Sequence, residues 1–263
     1  MRRQAVAWVW ALLLAAAGVA LFAMPARGRV SCGPGFSPGA ARCVPNGCPD
    51  PLRQALAGAK CEASLGVAVP ETRLTIGPSD WEAEGRVLPQ VIEARAFWVD
   101  AFEASRESFE GQGALDPLRA ASGMTRGEAA RFCATRGGRL PSENEWIAAA
   151  AGLGGHRYPW GETGAVCRRA AFGLAHGPCS LEGVGPDTVG AHTDGDGARG
   201  IHDLAGNVAE WVAPTGTAPQ VGIAKGGSWR SELASELRVW ARLELDPDAR
   251  DDRVGVRCAY DAP

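Results

Sequence analysis

An acid, a glycine and a second acid fall within eight residues at Asp203-Leu-Ala-Gly206-Asn-Val208-Ala-Glu210, a set of donors that suits a hard cation. Calcium takes roughly six to eight oxygens from carboxylates and backbone carbonyls on a curved loop. Spacing alone favours a plainer role, in which Asp203 and Glu210 cap turns and pair with arginines. Thr193-Asp-Gly-Asp-Gly197 has the look of a calcium loop but lacks the bidentate glutamate and the spacing of an EF-hand, so a solvated turn is expected. His156, His176, His192 and His202 show no paired metal-ligand spacing, and His192 with Asp194 and Asp196 offers at best a weak cation site. Glu143 and Glu145 form a carboxylate pair, yet both belong to the first turn of an expected helix, where acids favour the dipole. Gly-x-Ser-x-Gly elbows, phosphate loops ending in Lys-Ser or Lys-Thr, and His-Glu-x-x-His helices do not occur.

Eight cysteines stand at 32, 43, 48, 61, 133, 167, 179 and 258, with no Cys-x-x-Cys pair. That spacing argues against zinc and for disulfides in an oxidising compartment. Proximity suggests Cys32 with Cys43, Cys48 with Cys61 and Cys167 with Cys179, which leaves Cys133 with Cys258, although about 105 pairings are open in principle. Met1-Arg-Arg-Gln precedes twenty uncharged residues, Ala5 to Met24. That length matches a bilayer span or a signal peptide, and the two arginines direct the rest of the chain outward. Residues 1–28 are therefore read as a leader, cleaved or kept as a membrane anchor through 5–24, with bacterial-type export to an extracytoplasmic place: periplasmic, anchored or secreted. Formal charge is −3 over 263 residues, and the arginines are scattered among acids, so nucleic acid is not an expected partner.

Residues 29–63 form a Cys/Gly/Pro-rich segment, expected to be stapled by disulfides and to lack long regular elements. From residue 64 to 263 the pattern becomes that of a packed domain. Arg73-Leu-Thr-Ile-Gly77 and Gln90 to Asp100 alternate like half-buried strands. Thr125-Arg-Gly-Glu128 and Ser142-Glu-Asn-Glu145 are capping boxes, each opening a short helix that glycines close. Thirty-five glycines, eighteen prolines and nine tryptophans predict a loop-rich chain pinned by large indoles.

Arg139-Leu-Pro-Ser-Glu-Asn-Glu-Trp146, Tyr158-Pro-Trp-Gly161, Gly200 to Trp211, Lys225-Gly-Gly-Ser-Trp229 and Gly255-Val-Arg-Cys258 occur in that order. Together they resemble the formylglycine-generating enzyme (sulfatase-modifying factor) family. The resemblance implies an α+β fold, the family's loop-rich variant of the C-type lectin fold with short strands and two short helices. It independently favours the Cys133–Cys258 bridge. It also implies calcium held by the carboxylates of Asp203 and Glu210 and the carbonyls of Gly206 and Val208, while a second calcium site is degraded at Arg169-Ala-Ala-Phe172. The family's copper-binding cysteines would fall at Ser231 and at Glu236, or at Ser235 with a short deletion, and oxygen ligands do not replace thiolates for Cu(I). Ser228 matches a family active-site serine, though packing in a tight Gly-Gly-Ser turn is its simpler role. No copper and no formylglycine synthesis are expected. The expected activity is binding of a peptide, protein or glycan in a groove lined by Trp160, Trp211, Ser228, Trp229 and Trp240. An oxidase or hydroxylase of the same family using other residues is the alternative.

Overall fold

The computed structural model describes residues 66–77, 89–173, 179, 184–214 and 221–262, together with the backbone of two strands near the N-terminus. Those strands, β1 (Phe36–Pro38) and β2 (Cys43–Pro45), pair antiparallel with Phe36 opposite Pro45. They fall in the first of two compact units, Met1–Gly47. Three-residue strands are what so much glycine and proline allows. The expected leader and the pairings Cys32–Cys43 and Cys48–Cys61 lie outside the described residues.

The second unit, Cys48–Pro263, holds the remaining elements. Strands β3 (Gly66–Val69), β4 (Thr72–Ile76), β5 (Gln90–Ala94) and β6 (Phe97–Asp100) are followed by helices α1 (Arg106–Glu110), α2 (Arg126–Thr135) and α3 (Glu143–Ala151). Then come β7 (Ala209–Trp211), β8 (Gly222–Lys225), β9 (Leu243–Leu245), β10 (Val254–Gly255) and β11 (Ala259–Asp261), with 3-10 turns at Thr193–Gly195 and Ala234–Leu237. β4 and β5 make a separate antiparallel pair, β6 lies between β11 and β3, and a second sheet runs β10-β7-β8-β9. The α+β, loop-rich architecture of the lectin-like type is thus present. The run from 90 to 100 divides into two strands at Arg95-Ala96, because β5 pairs with β4 while β6 pairs with β3 and β11.

Both capping boxes form. Thr125 and Ser142 each accept from the backbone three residues on, and Glu128 and Glu145 reach back to the cap. Helix α1, capped by the Ser105 hydroxyl, is an addition to the two helices expected from the sequence. Helix α3 is buried on every side except Asn144, whose Nδ2 donates to the Glu93 carbonyl on β5 at 3.1 Å. Trp146, Ile147 and four alanines of α3 fill the core between the β4–β5 pair and β6. Small side chains let the helix approach the strands closely, and Trp146 fills the remaining depth.

A second core joins α2 to the β10-β7-β8 sheet through Met124, Ala129, Trp211, Ala224 and Val254. Cys133 of α2 bridges to Cys258 between β10 and β11, with Cα atoms 5.4 Å apart. Cys167 bridges to Cys179. No cysteine among the described residues is free. These bridges fit an oxidising, extracytoplasmic compartment.

Candidate functional site

The turn that carries Asp203 to Glu210 ends in β7, and at its end Glu210 meets Arg257. Arg257 donates to Glu210 Oε1 from Nε at 2.9 Å and from Nη2 at 2.7 Å, while Trp146 Nε1 donates to Glu210 Oε2 at 2.6 Å. The guanidinium also reaches the carbonyls of Asp100 and His202, at 2.9 and 2.6 Å. Asp203, held at a positive φ of 54°, accepts from the Gly190 backbone N–H. Gly206, also left-handed, has no room for a side chain: a Cβ there would lie 2.5 Å from the Ala171 carbonyl.

This geometry bears directly on calcium. Both Glu210 oxygens already receive strong donors, and the charge that offsets Glu210 is a protein cation. Of the expected ligands Asp203, Gly206, Val208 and Glu210, Glu210 thus carries a guanidinium on Oε1 and an indole N–H on Oε2. The plainer expectation from spacing, an arginine pair, describes Glu210. No group of three or more His, Cys, Asp or Glu side chains converges for a metal among the described residues.

The same centre holds more acid than Arg257 balances. Glu103, 2% exposed, has one oxygen engaged by Asn207 Nδ2 and the other, Oε2, without a hydrogen-bond partner. Burial first, then the charges of Asp203 and Glu210, pushes its carboxyl well above the ordinary glutamate range. Burial likewise raises Asp203 against the lowering effect of its Gly190 bond and of Arg257. Asn207, with φ 53°, ties this centre outward by accepting from Asp187 N at 2.7 Å, and Asp187 pairs with His192 at 2.9 Å. Burial opposes the charged form of His192, but Asp187 outweighs it and raises the imidazole. His192 is therefore paired away from Asp194 and Asp196, which meet Arg168 and His202.

A cavity of about 350 Å³ opens where the cysteine pair was expected, walled by residues between Gly227 and Arg253. Gly227 lies at φ 69°, and a Cβ there would come within 2.7 Å of Leu237 and 2.8 Å of the Glu236 carbonyl. Ser228 N donates to Ser231 Oγ at 3.1 Å and Arg230 N to Ser228 Oγ at 3.2 Å, so both hydroxyls close the Gly-Gly-Ser turn. Ser231, Ser235 and Glu236 all line the cavity. Its wall offers hard oxygen and nitrogen groups and no thiol.

Beneath this wall Lys225, completely buried, pairs with Glu143 at 3.2 Å, and Arg242 grips the same carboxylate with Nε and Nη2 at 2.6 Å each. Burial lowers Lys225 to about 8 despite Glu143. Glu143 stays below the usual range because Arg242 and Lys225 outweigh its burial. Glu145 accepts two 2.7 Å bonds from Arg139. The two carboxylates thus serve structure separately, one beneath the cavity and one at the helix cap.

The four expected groove tryptophans divide by burial. Trp211 is wholly buried, its indole donating to the Met124 carbonyl at 2.9 Å, and Trp229 is 3% exposed beneath Arg230. Trp160 stacks on Tyr158 under Arg169, and Trp240 packs half-buried beside Arg238. None of the four lines the cavity, whereas Ser228 does. A large indole fills a loop-rich core efficiently, and Trp211 and Trp229 do so here. Arg257, Lys225, Glu103 and Asn207 received no role from sequence. Lys225 carried a usable signal as one of only two lysines in the chain.

Residues 114–262 match the model of the Sulfatase-modifying factor enzyme 1-like domain. The mouse protein "Inactive C-alpha-formylglycine-generating enzyme 2" is 34% identical over 145 residues, covering 51% of this chain and 47% of that protein. A "Formylglycine-generating enzyme" of Thermomonospora curvata is 28% identical over 204 residues, 66% of this chain and 67% of its own length. The chain spans about half the length of the first curated relatives it matches. Among solved structures, PvdO from Pseudomonas aeruginosa aligns with TM-score 0.59 at 18% identity over 75% of this chain and 94% of its own. Treponema denticola variable protein 1 aligns with TM-score 0.58 at 18% identity, covering 75% and 95%. At that identity the two structures show the shared fold alone.

Proposed function

The chain belongs to the sulfatase-modifying factor enzyme 1-like family, and from that premise we propose that it is an exported binding module that does not make formylglycine. The observation that carries this reading is the cavity wall: Ser231, Ser235 and Glu236 stand where the family's thiolates are expected. Soft Cu(I) needs sulfur, and the hydroxyls of Ser228 and Ser231 each accept a backbone N–H of the turn. The likeness to a relative named as inactive supports the same reading. The cavity's size suits one or two side chains of a bound peptide or a short glycan. Arg257 braces the centre through Glu210, and calcium at Asp203, Gly206, Val208 and Glu210 would add a structural tie to the same turn.

Two measurements test this. The purified chain, given copper, oxygen and a cysteine-containing sulfatase-type peptide, should leave the cysteine unmodified by mass spectrometry. Formylglycine in the product overturns the reading, as does copper or iron purified with the chain at near-equal moles, which favours the family-enzyme alternative. A fixed peptide and glycan array should retain the wild type and lose the Ala241→Trp variant, whose indole fills the cavity.

A further inference from the structure

We propose that the cavity recognises the carboxylate of an acidic peptide side chain, a reading that rests on the binding role above. Three arginines, Arg230, Arg242 and Arg253, are among the residues that line one small space. Each is held along one edge by its own carboxylate. Arg242 spends Nε and Nη2 on Glu143, at 2.6 Å each. Arg253 spends Nε and Nη2 on Asp251, at 2.9 and 2.6 Å, and Arg230 lies over Trp229 and gives Nη2 to Asp252 at 2.6 Å.

These pairings fix the cations without exhausting them. Among the described residues no hydrogen bond engages Nη1 of any of the three. A planar guanidinium anchored on one side loses little freedom when the other side meets a carboxylate. Three anchored guanidiniums with unspent Nη1 donors thus border a space sized for one or two side chains.

Two features select the ligand. No aromatic ring lines the cavity, since Trp229 is buried beneath Arg230, so a sugar ring finds no stacking platform. Glu236 also lines it and sits close enough to Arg253 to act on its charge, which disfavours a densely sulfated chain while leaving room for a single carboxylate.

The probes are a fluorescein-labelled Gly-Glu-Glu-Gly peptide, the same peptide with glutamine for glutamate, and a sulfated heparin tetrasaccharide, each titrated into the full chain by fluorescence anisotropy. The acidic peptide should bind at least about tenfold more tightly than its glutamine form, and Arg230→Gln and Arg253→Gln should each weaken it by about tenfold. Thermal melts of both variants should stay within about a few degrees of the wild type, because Arg230 is exposed and Arg253 half-buried, and what is lost is their pairs with Asp252 and Asp251 and the Arg230 contact over Trp229. Equal binding of the two peptides, or undiminished binding by both variants, overturns the proposal. Tighter binding of the tetrasaccharide also overturns it. If the glutamine peptide binds and Ala241→Trp abolishes that binding, the acidic class fails while the binding role stands; if no probe binds and the array is empty, both fail.

Discussion

Glu210 and Arg257 form a two-bond ion pair at 2.9 and 2.7 Å with both side chains sealed from solvent, 1% and 0% exposed. A buried pair of this kind adds little over a well-packed apolar substitute, but breaking it strands a charge. Glu210→Gln should therefore destabilise the domain by about 3–5 kcal/mol, read from denaturant titration. A chelator should leave the wild-type melting temperature unchanged. A chelator-sensitive melt that Glu210→Gln abolishes would instead place calcium at this turn.

The bridge between Cys133 and Cys258 closes a loop of 125 residues, and that between Cys167 and Cys179 one of 12. The chain-entropy account assigns about 4–5 kcal/mol to the longer and about 3 to the shorter. Cys133→Ala with Cys258→Ala should lower denaturant stability more than the Cys167→Ala, Cys179→Ala double variant. Equal losses would mean that local packing, not loop closure, sets both effects.

Glu103 gives a pH signature. Its folded pKa is raised from 4.5 by burial and by two neighbouring acids, so the fold takes up its proton more readily than the unfolded chain does. The contribution of Glu103 is intact below pH 4.5 and is lost as pH rises toward the folded value. Glu103→Gln mimics the protonated form at every pH. The variant should equal the wild type near pH 4 and gain on it toward neutrality, measured as the difference between two stability-versus-pH curves. A constant difference would refute the ionisation account.

Lys225 gives the opposite slope at high pH. Burial lowers it to about 8 from 10.5, so between those values the unfolded chain holds a proton that the fold has released. Stability should rise with pH across that window. Lys225→Met, similar in shape and without a charge, should flatten the rise; an unaltered slope would assign it to another group.

Local chemistry made part of this molecule legible from sequence and tertiary chemistry hid the rest. Thr125 and Ser142 announced α2 and α3 because a capping box satisfies helix donors within three residues. The Cys133–Cys258 bridge was reachable because pairing the other cysteines with near neighbours leaves these two, and the family resemblance agreed. Arg257 was not reachable as an internal cation, since its partners Asp100 and the His202–Glu210 turn arrive from two distant stretches of chain. Spacing cannot tell a carboxylate awaiting calcium from one awaiting a guanidinium. Nor does a count of tryptophans separate Trp211, sunk in the core, from a ring on a binding face.

The cavity wall, by contrast, is drawn from one run of chain, Gly227 to Arg253. Its backbone starts at the Gly226-Gly227 turn and re-enters the sheet at β9 and again at β10. That run divides its labour: Leu237, Val239 and the Arg242 grip on Glu143 tie it to the core, while Arg230, Ser235 and Glu236 face outward, so substitutions at the latter should alter what is bound with little cost to the fold.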